Sequence, residues 1–275
     1  MNQLEYIPGI GGQAIQLDGP VAFVGTADKL RGREWNYDLG YRDLLNANRP
    51  ARVVDVTLWT DADTANALRR VADADVMAGK PGTFVAQNEW RQRGYILEAE
   101  PRVIHYDDLE IGLKVALLDG AWWRLESQTF YEQEYESAQT YLDYPYDYPH
   151  DYAKRPPAAN IESSVLVPSA VHLVMFGPAT NPYVIVGSNK YQVNVTVPSG
   201  GYVTIDGREK TIVTTLADGT QRNDFAYGVR GSGQGGGDYV FEPVQAGVQS
   251  VTWDGTFGFD LGWYEEEGEP PWKAY

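Results

Sequence analysis

Apolar and polar residues alternate with period two along most of the chain, and with the period of a helix once. Residues 15–59 hold short apolar runs separated by polar turns. In Arg52–Trp59, Val54, Val56 and Leu58 alternate with Asp55, Thr57 and Trp59, the pattern of a half-buried strand. The period then changes. Leu68, Val71, Ala72 and Val76 fall on one stripe, which predicts a helix over Thr64–Val76. Thr60 with Asp63 reads as a capping box at its start, and Gly79 with Pro81 as its stop. No other segment carries a convincing helical period.

Strands resume at Thr83–Ala86, Glu89–Leu97, Arg102–His105 and Leu109–Leu118, the last ending in the turn dipeptide Asp119-Gly120. Further on, Tyr191, Val193, Val195 and Val197 alternate with polar residues, and Phe257, Phe259, Leu261 and Trp263 do the same. Asp206-Gly207, Asp218-Gly219 and Asp254-Gly255 lie between strand-like runs, each a hairpin signal. Short, evenly spaced strands of this kind predict a sandwich or barrel. The fold class expected is therefore mainly β with one short helix.

One stretch breaks the pattern. Residues 131–157 hold tyrosines at 131, 135, 141, 144, 146, 148 and 152, and Asp-Tyr-Pro repeats with period four from Asp143. Proline disfavours helix in the residue before it, so the stretch reads as extended. A loose spacer is rich in Gly and Ser. The tyrosines predict instead a strap that lies on protein, because each ring has apolar area to bury and a hydroxyl to satisfy. The organisation expected is a first domain over 1–130, a strap or linker over 131–160, and a second β domain over 161–275.

Composition narrows the function. The chain has 275 residues, 22 Lys+Arg and 38 Asp+Glu, a formal net charge of −16. An acidic chain does not grip phosphate backbones, so no specific nucleic-acid binding is expected, although like charge lets nucleic acid pass without sticking. Cysteine is absent and only His105, His150 and His172 are present. Disulfides, thiolate zinc sites and cysteine nucleophiles are excluded. The segment Met1–Pro8 has no basic and no apolar region, and nowhere do 18 apolar residues run together. Neither a signal peptide nor a membrane span is expected.

Motif searches add little chemistry. Gly231–Gly236 satisfies G-x-G-x-x-G, but a dinucleotide site needs a helix after it. Asp238–Pro243 reads as a strand, so the glycines read as a hairpin tip. Asp61, Asp63, Asp73 and Asp75 lack the spacing of a calcium loop, since Ala65 and Asn66 stand where a ligand and the glycine belong. They read as helix capping and a solvated helix face. Asp107-Asp108 and Glu265–Glu267 are candidate carboxylates for glycoside hydrolysis, but neighbours on a strand point to opposite faces. No catalytic, cofactor-binding or metal residue is assigned. Trp253, Trp263 and Trp272 are the aromatic candidates for stacking on sugar. Trp263 is in phase with Phe257, Phe259 and Leu261 and reads as core, while Trp272 follows Pro270-Pro271 and is placed to dock elsewhere.

Three blocks taken together resemble the distal tail protein family of long-tailed bacteriophages. The first is Arg52–Trp59, the helix, and Asp75–Thr83 leading to Glu89-Trp90-Arg91. The second is Leu117–Trp122 with the Asp-Tyr-Pro strap. The third runs from Gly177–Pro182 through Gly201–Ile212 and Tyr239–Val244 to Glu269–Trp272. The resemblance implies an N-terminal β-sandwich or split-barrel domain that assembles into a hexameric ring. It also implies a C-terminal galectin-like or carbohydrate-module-like sandwich at the periphery. The implied role is a structural hub at the virion tail tip, assembled in the host cytoplasm, with a bore for DNA. Implied partners are the tail tube protein and a tail-tip hub or tail-associated lysin. Tape-measure and receptor-binding proteins and a host saccharide are further candidates. The family supplies no catalytic residues or cofactors.

Arg31, Arg33 and Trp35 lie in a run with no clean core period, and Arg and Trp are enriched in binding hot spots. With Trp90, the strap residues Tyr144 and Tyr148, and Trp272, they are the candidate interface residues. Two other functions compete: a carbohydrate-binding adhesion module for the host wall, and a cell-wall glycoside hydrolase.

Overall fold

A computed structural model describes residues 4–24, 29–30, 32–87, 89–105, 108–133 and 158–270. The chain divides into two compact units, Met1–Arg124 with Glu266–Tyr275, and Leu125–Glu265. The fold is mainly β, built of antiparallel sheets with one α-helix among the described residues.

The first unit is a split barrel. Its strands are β1 (Leu4–Ile7), β2 (Ile15–Asp18), β3 (Ala22–Val24), β6 (Arg52–Asp61), β7 (Gly82–Ala86), β8 (Trp90–His105) and β9 (Asp108–Leu117). Pairing gives the order β2-β1-β7-β8-β9-β6-β3. The two ends of this path, β2 and β3, are consecutive in sequence and joined by a tight turn in which Gly19 N–H donates to Ala22 O at 2.7 Å. The helix α1 (Ala62–Ala78) buries Leu68 and Ala72 in the same core as Tyr6, Leu58, Phe84 and Trp122.

Alternation explains β6. Val56, Leu58 and Thr60 turn inward and are buried, while Val53, Asp55 and Trp59 turn outward. The helix start differs from expectation. Thr60 is spent in β6, where its hydroxyl donates to Val21 O at 3.1 Å. The cap is Asp61, whose carboxylate accepts the Thr64 N–H at 2.7 Å. That bond holds the Asp61 carboxyl below the usual range. The stop is as expected, with Gly79 at φ 64° and its N–H on the last carbonyls.

Asp75, one of the acids expected on a solvated helix face, is fully buried. It accepts the Tyr6 hydroxyl at 2.6 Å and the Ile10 N–H at 2.8 Å. Burial, and then the hydrogen bond to Asp75, push the Tyr6 hydroxyl well above its ordinary pKa.

After β10 (Trp122–Phe130) the second unit is a sandwich, which also carries a short ribbon of β13 (Ala179–Thr180) and β16 (Thr196–Val197). One sheet runs β19-β18-β17-β12-β21, from Gln221–Asn223, Thr211–Thr215, Tyr202–Asp206, Val171–Phe176 and Phe259–Glu267. The other runs β11-β20-β14-β15, from Ala158–Ser163, Gly247–Thr252, Tyr183–Val186 and Asn189–Gln192. Leu173, Met175, Ile205, Phe259 and Leu261 of the first sheet meet Ile161, Val184, Tyr191 and Val251 of the second. Trp253 and Trp263 belong to this core and present no ring to a sugar.

Two sequence expectations fail here. Asp254-Gly255 does not close a hairpin, because β20 and β21 lie in different sheets. Asp238–Pro243 is not a strand. Its backbone makes separate turn bonds, such as Val240 N–H to Val229 O at 2.9 Å.

Candidate functional surfaces

Between β3 and β6 the first unit extends a ribbon of two strands, β4 (Asn36–Leu39) and β5 (Leu44–Asn48), every residue of which is exposed. Register divides it into two faces. Asn36 opposes Asn48 and Asp38 opposes Asn46 on one; Tyr37 opposes Ala47 on the other, and beyond a bulge that leaves the exposed Leu45 unpaired, Leu39 opposes Leu44. Opposed residues in an antiparallel pair share a face. One face is therefore amide and carboxylate, the other apolar. At the tip, Tyr41 is 93% exposed, and the Arg42 guanidinium carbon lies 5.2 Å from its ring centroid.

At the root, Arg49 stands 5.0 Å from the centre of the Trp35 ring and 3.7 Å from the Glu266 carboxylate. A lone two-stranded hairpin is marginally stable in water. An amphipathic one with its apolar face in solvent has the makeup of a contact surface.

A second apolar surface lies at the other end of β6. Phe23 and Trp59 are cross-strand neighbours that turn outward, and with Pro20 and Val21 they line a groove of about 440 Å³. Phe23 and Val21 are both more than half exposed. Asp61 and Asp108, opposite each other in the β6–β9 register, form its acidic rim.

The outward sheet face between these two ends is charged. Lys114 donates to Glu98 at 2.5 Å and opposes Asp55, while Arg102 donates to the Thr57 hydroxyl at 3.1 Å. Lys114 is held above its ordinary pKa, first by the hydrogen bond and then by the charge of Glu98.

In the second unit a cleft of about 300 Å³ is lined by Ser188, Asn189, Glu242, Gln245, Gln249 and the glycines 235–237. The glycine run, expected as a hairpin tip, forms one wall, held by the Gly235 N–H on the Glu242 carboxylate at 2.9 Å. Asn189 clamps the floor, donating to Tyr239 O and accepting the Tyr239 N–H. Tyr191 donates to Glu242 O at 2.8 Å, and burial pushes its hydroxyl far above its usual pKa.

The candidate interface residues separate. Trp35 stands at the root of the ribbon, and the Arg33 side chain packs beside Gly268. Trp90 is corrected: it is 1% exposed, in the core of the first unit, with Arg124 over its ring at 5.1 Å. It has no surface to give a neighbour. Arg31, Tyr144, Tyr148 and Trp272 lie outside the described residues, as does Asp107. Among the described residues no group of three or more acidic or histidine side chains is placed to hold a metal ion. No helix there is long and apolar enough to cross a membrane.

The class that this geometry defines is a two-unit, mainly β chain whose distinctive features are surfaces. Particular proteins share its fold. A chain of the phage P2 baseplate in its activated conformation with calcium matches with a TM-score of 0.63 at 10% identity. The match covers 98% of this chain and 100% of that one. The P2 baseplate with strontium matches at 0.61 and 9%, with the same coverage. The SPP1 Dit protein is described as a paradigm of the hub adsorption apparatus in phages that infect Gram-positive bacteria. It matches at 0.53 and 10%, over 95% of this chain and 99% of that one. No family model and no curated protein matches the sequence.

Proposed function

We propose that this chain is a structural, non-enzymatic component of a phage tail tip. In this reading six copies form a hub ring that joins the tail tube to the tip and receptor-binding proteins. The first unit, Met1–Arg124 with Glu266–Tyr275, builds the ring and the second, Leu125–Glu265, carries the peripheral sandwich; residues 134–157 of the expected strap lie outside the described residues. The observation that carries the reading is likeness over nearly the whole chain, both units in order, to proteins of a phage baseplate and a hub adsorption apparatus.

The acidic balance supports it. Six copies at −16 each carry −96 formal charges, and where those acids face the bore they repel DNA rather than trap it. The amphipathic ribbon supports it as well, since a lone chain leaves that apolar face in water. The test is the mass and shape of the purified protein by light scattering and negative-stain imaging.

The cleft of the second unit favours one further reading, a host-saccharide contact made by the same hub. Its carboxylate, amides and hydroxyl suit sugar hydroxyls, and its lining includes no Lys or Arg. Titration with wall saccharides, with Glu242→Ala as control, tests it. Absence of binding at millimolar sugar would remove it.

A further inference from the structure

The ribbon and the groove belong to opposite ends of one strand. The ribbon root at Arg49 lies three residues before β6, and the groove is built on Trp59–Asp61 at its far end. Ten residues of extended chain span about 30 Å. A projecting apolar element and a recessed apolar one, well separated on the same chain, are the two halves of a head-to-tail contact. Such contacts close into rings when the rotation between copies closes.

We infer that the ribbon tip of one copy seats in the Phe23–Trp59 groove of the next. This deepens the hub reading and rests on it for closure into a ring. Size and chemistry fit. The groove, at about 440 Å³, has room for the Tyr41 ring and one leucine of the apolar face. Its walls are aromatic and aliphatic, as are Tyr41, Leu39 and Leu44. Arg42 travels with Tyr41, and the rim it meets carries Asp61 and Asp108. Asp61 stays ionised because the Thr64 N–H holds its carboxyl low.

Asp43 sits beside Arg42 with the wrong sign for this rim. Asp43→Asn therefore strengthens the contact, and Arg42→Glu weakens it. An isologous pairing of two ribbons is disfavoured by the same geometry, since it would leave the groove empty and the rim acids unanswered.

The chain has no cysteine, so engineered thiols report without background. Asp43→Cys, which keeps the Tyr41 ring, and Val21→Cys are made as separate proteins, mixed under mild oxidation, and run on non-reducing gels. The expected result is a covalent dimer in the mixture and none from either protein alone. Adding Trp59→Ala to the Val21→Cys partner lowers the yield about tenfold, with circular dichroism to establish that this variant is folded.

Cross-linking of Asp43→Cys with itself overturns the inference in favour of paired ribbons. Rings seen by imaging without the mixed disulfide overturn the inference and leave the hub reading standing. The mixed disulfide in open filaments keeps the contact and overturns the closed ring. No disulfide and no association at any concentration overturns the contact between copies.

Discussion

Trp35 and Arg49 face each other across the root of the exposed ribbon, with the guanidinium carbon 5.0 Å from the ring centre. Such a contact contributes about 0.5–1 kcal/mol at an exposed site. The same Arg49 reaches back to Glu266 in the rest of the first unit. Trp35→Ala should loosen residues 36–48 and leave the barrel core unchanged. Amide hydrogen exchange checks this. Ribbon amides should exchange several-fold faster, with no change in β6 or β9. Equal loss of protection in the core would show that Trp35 is part of the fold rather than of the ribbon.

Tyr6 and Asp75 join β1 to the helix inside the first unit. Tyr6→Phe removes a donor and leaves a buried carboxylate oxygen without one, at a cost of about 1–3 kcal/mol. Urea unfolding should show the loss in the transition of the first unit. A change below about 0.5 kcal/mol would mean that water replaces the hydroxyl.

Gly79 holds the left-handed cap of the helix, and nothing lies near the place its side chain would occupy. Gly79→Ala therefore reports backbone strain alone, about 1 kcal/mol. Gly79→Asn should recover part of it, because Asn tolerates that conformation better. Equal stability of all three proteins would contradict the assigned cap.

His172 gives the second unit a pH dependence. Burial lowers its pKa from 6.5, against the opposing pull of Asp206 and Asp260. Tyr264 meets its ring edge-on at 6.0 Å. The unfolded chain then binds the proton more readily than the folded one. The stability contributed by neutral His172 is fully present above pH 6.5 and is lost as pH falls toward the lowered value. His172→Gln should flatten the decline in urea midpoint between pH 7.5 and 5.5. An identical slope in both proteins would contradict the assignment.

Much of the fold was legible because burial imposes its period on the chain. Val54, Val56 and Leu58 announced β6, and Phe257 to Trp263 announced the last strand of the sandwich. Helix position was legible from its stripe, but its cap was not. Thr60 and Asp61 are both good caps, and only the tertiary bond from Thr60 to Val21 decides between them.

Trp90 misled because it sits beside Glu89 and Arg91, which look like surface. The true signal was its two-residue phase with Gln92, Gly94 and Ile96, all buried. Asp254-Gly255 was read as a hairpin because turn chemistry fixes a reversal without saying which sheet receives the next strand. The groove was invisible for a different reason. Phe23 and Trp59 are 36 residues apart, and only the β3–β6 register brings them together.

The central claim is the hub, and its most direct measurement is the assembly state of the intact protein. Size exclusion with light scattering, followed by negative-stain imaging of the peak, should give about six times the 30.6 kDa chain mass and a ring with an open bore. A particle of other symmetry without a bore, or a monomer at every concentration up to the millimolar range, would contradict the account.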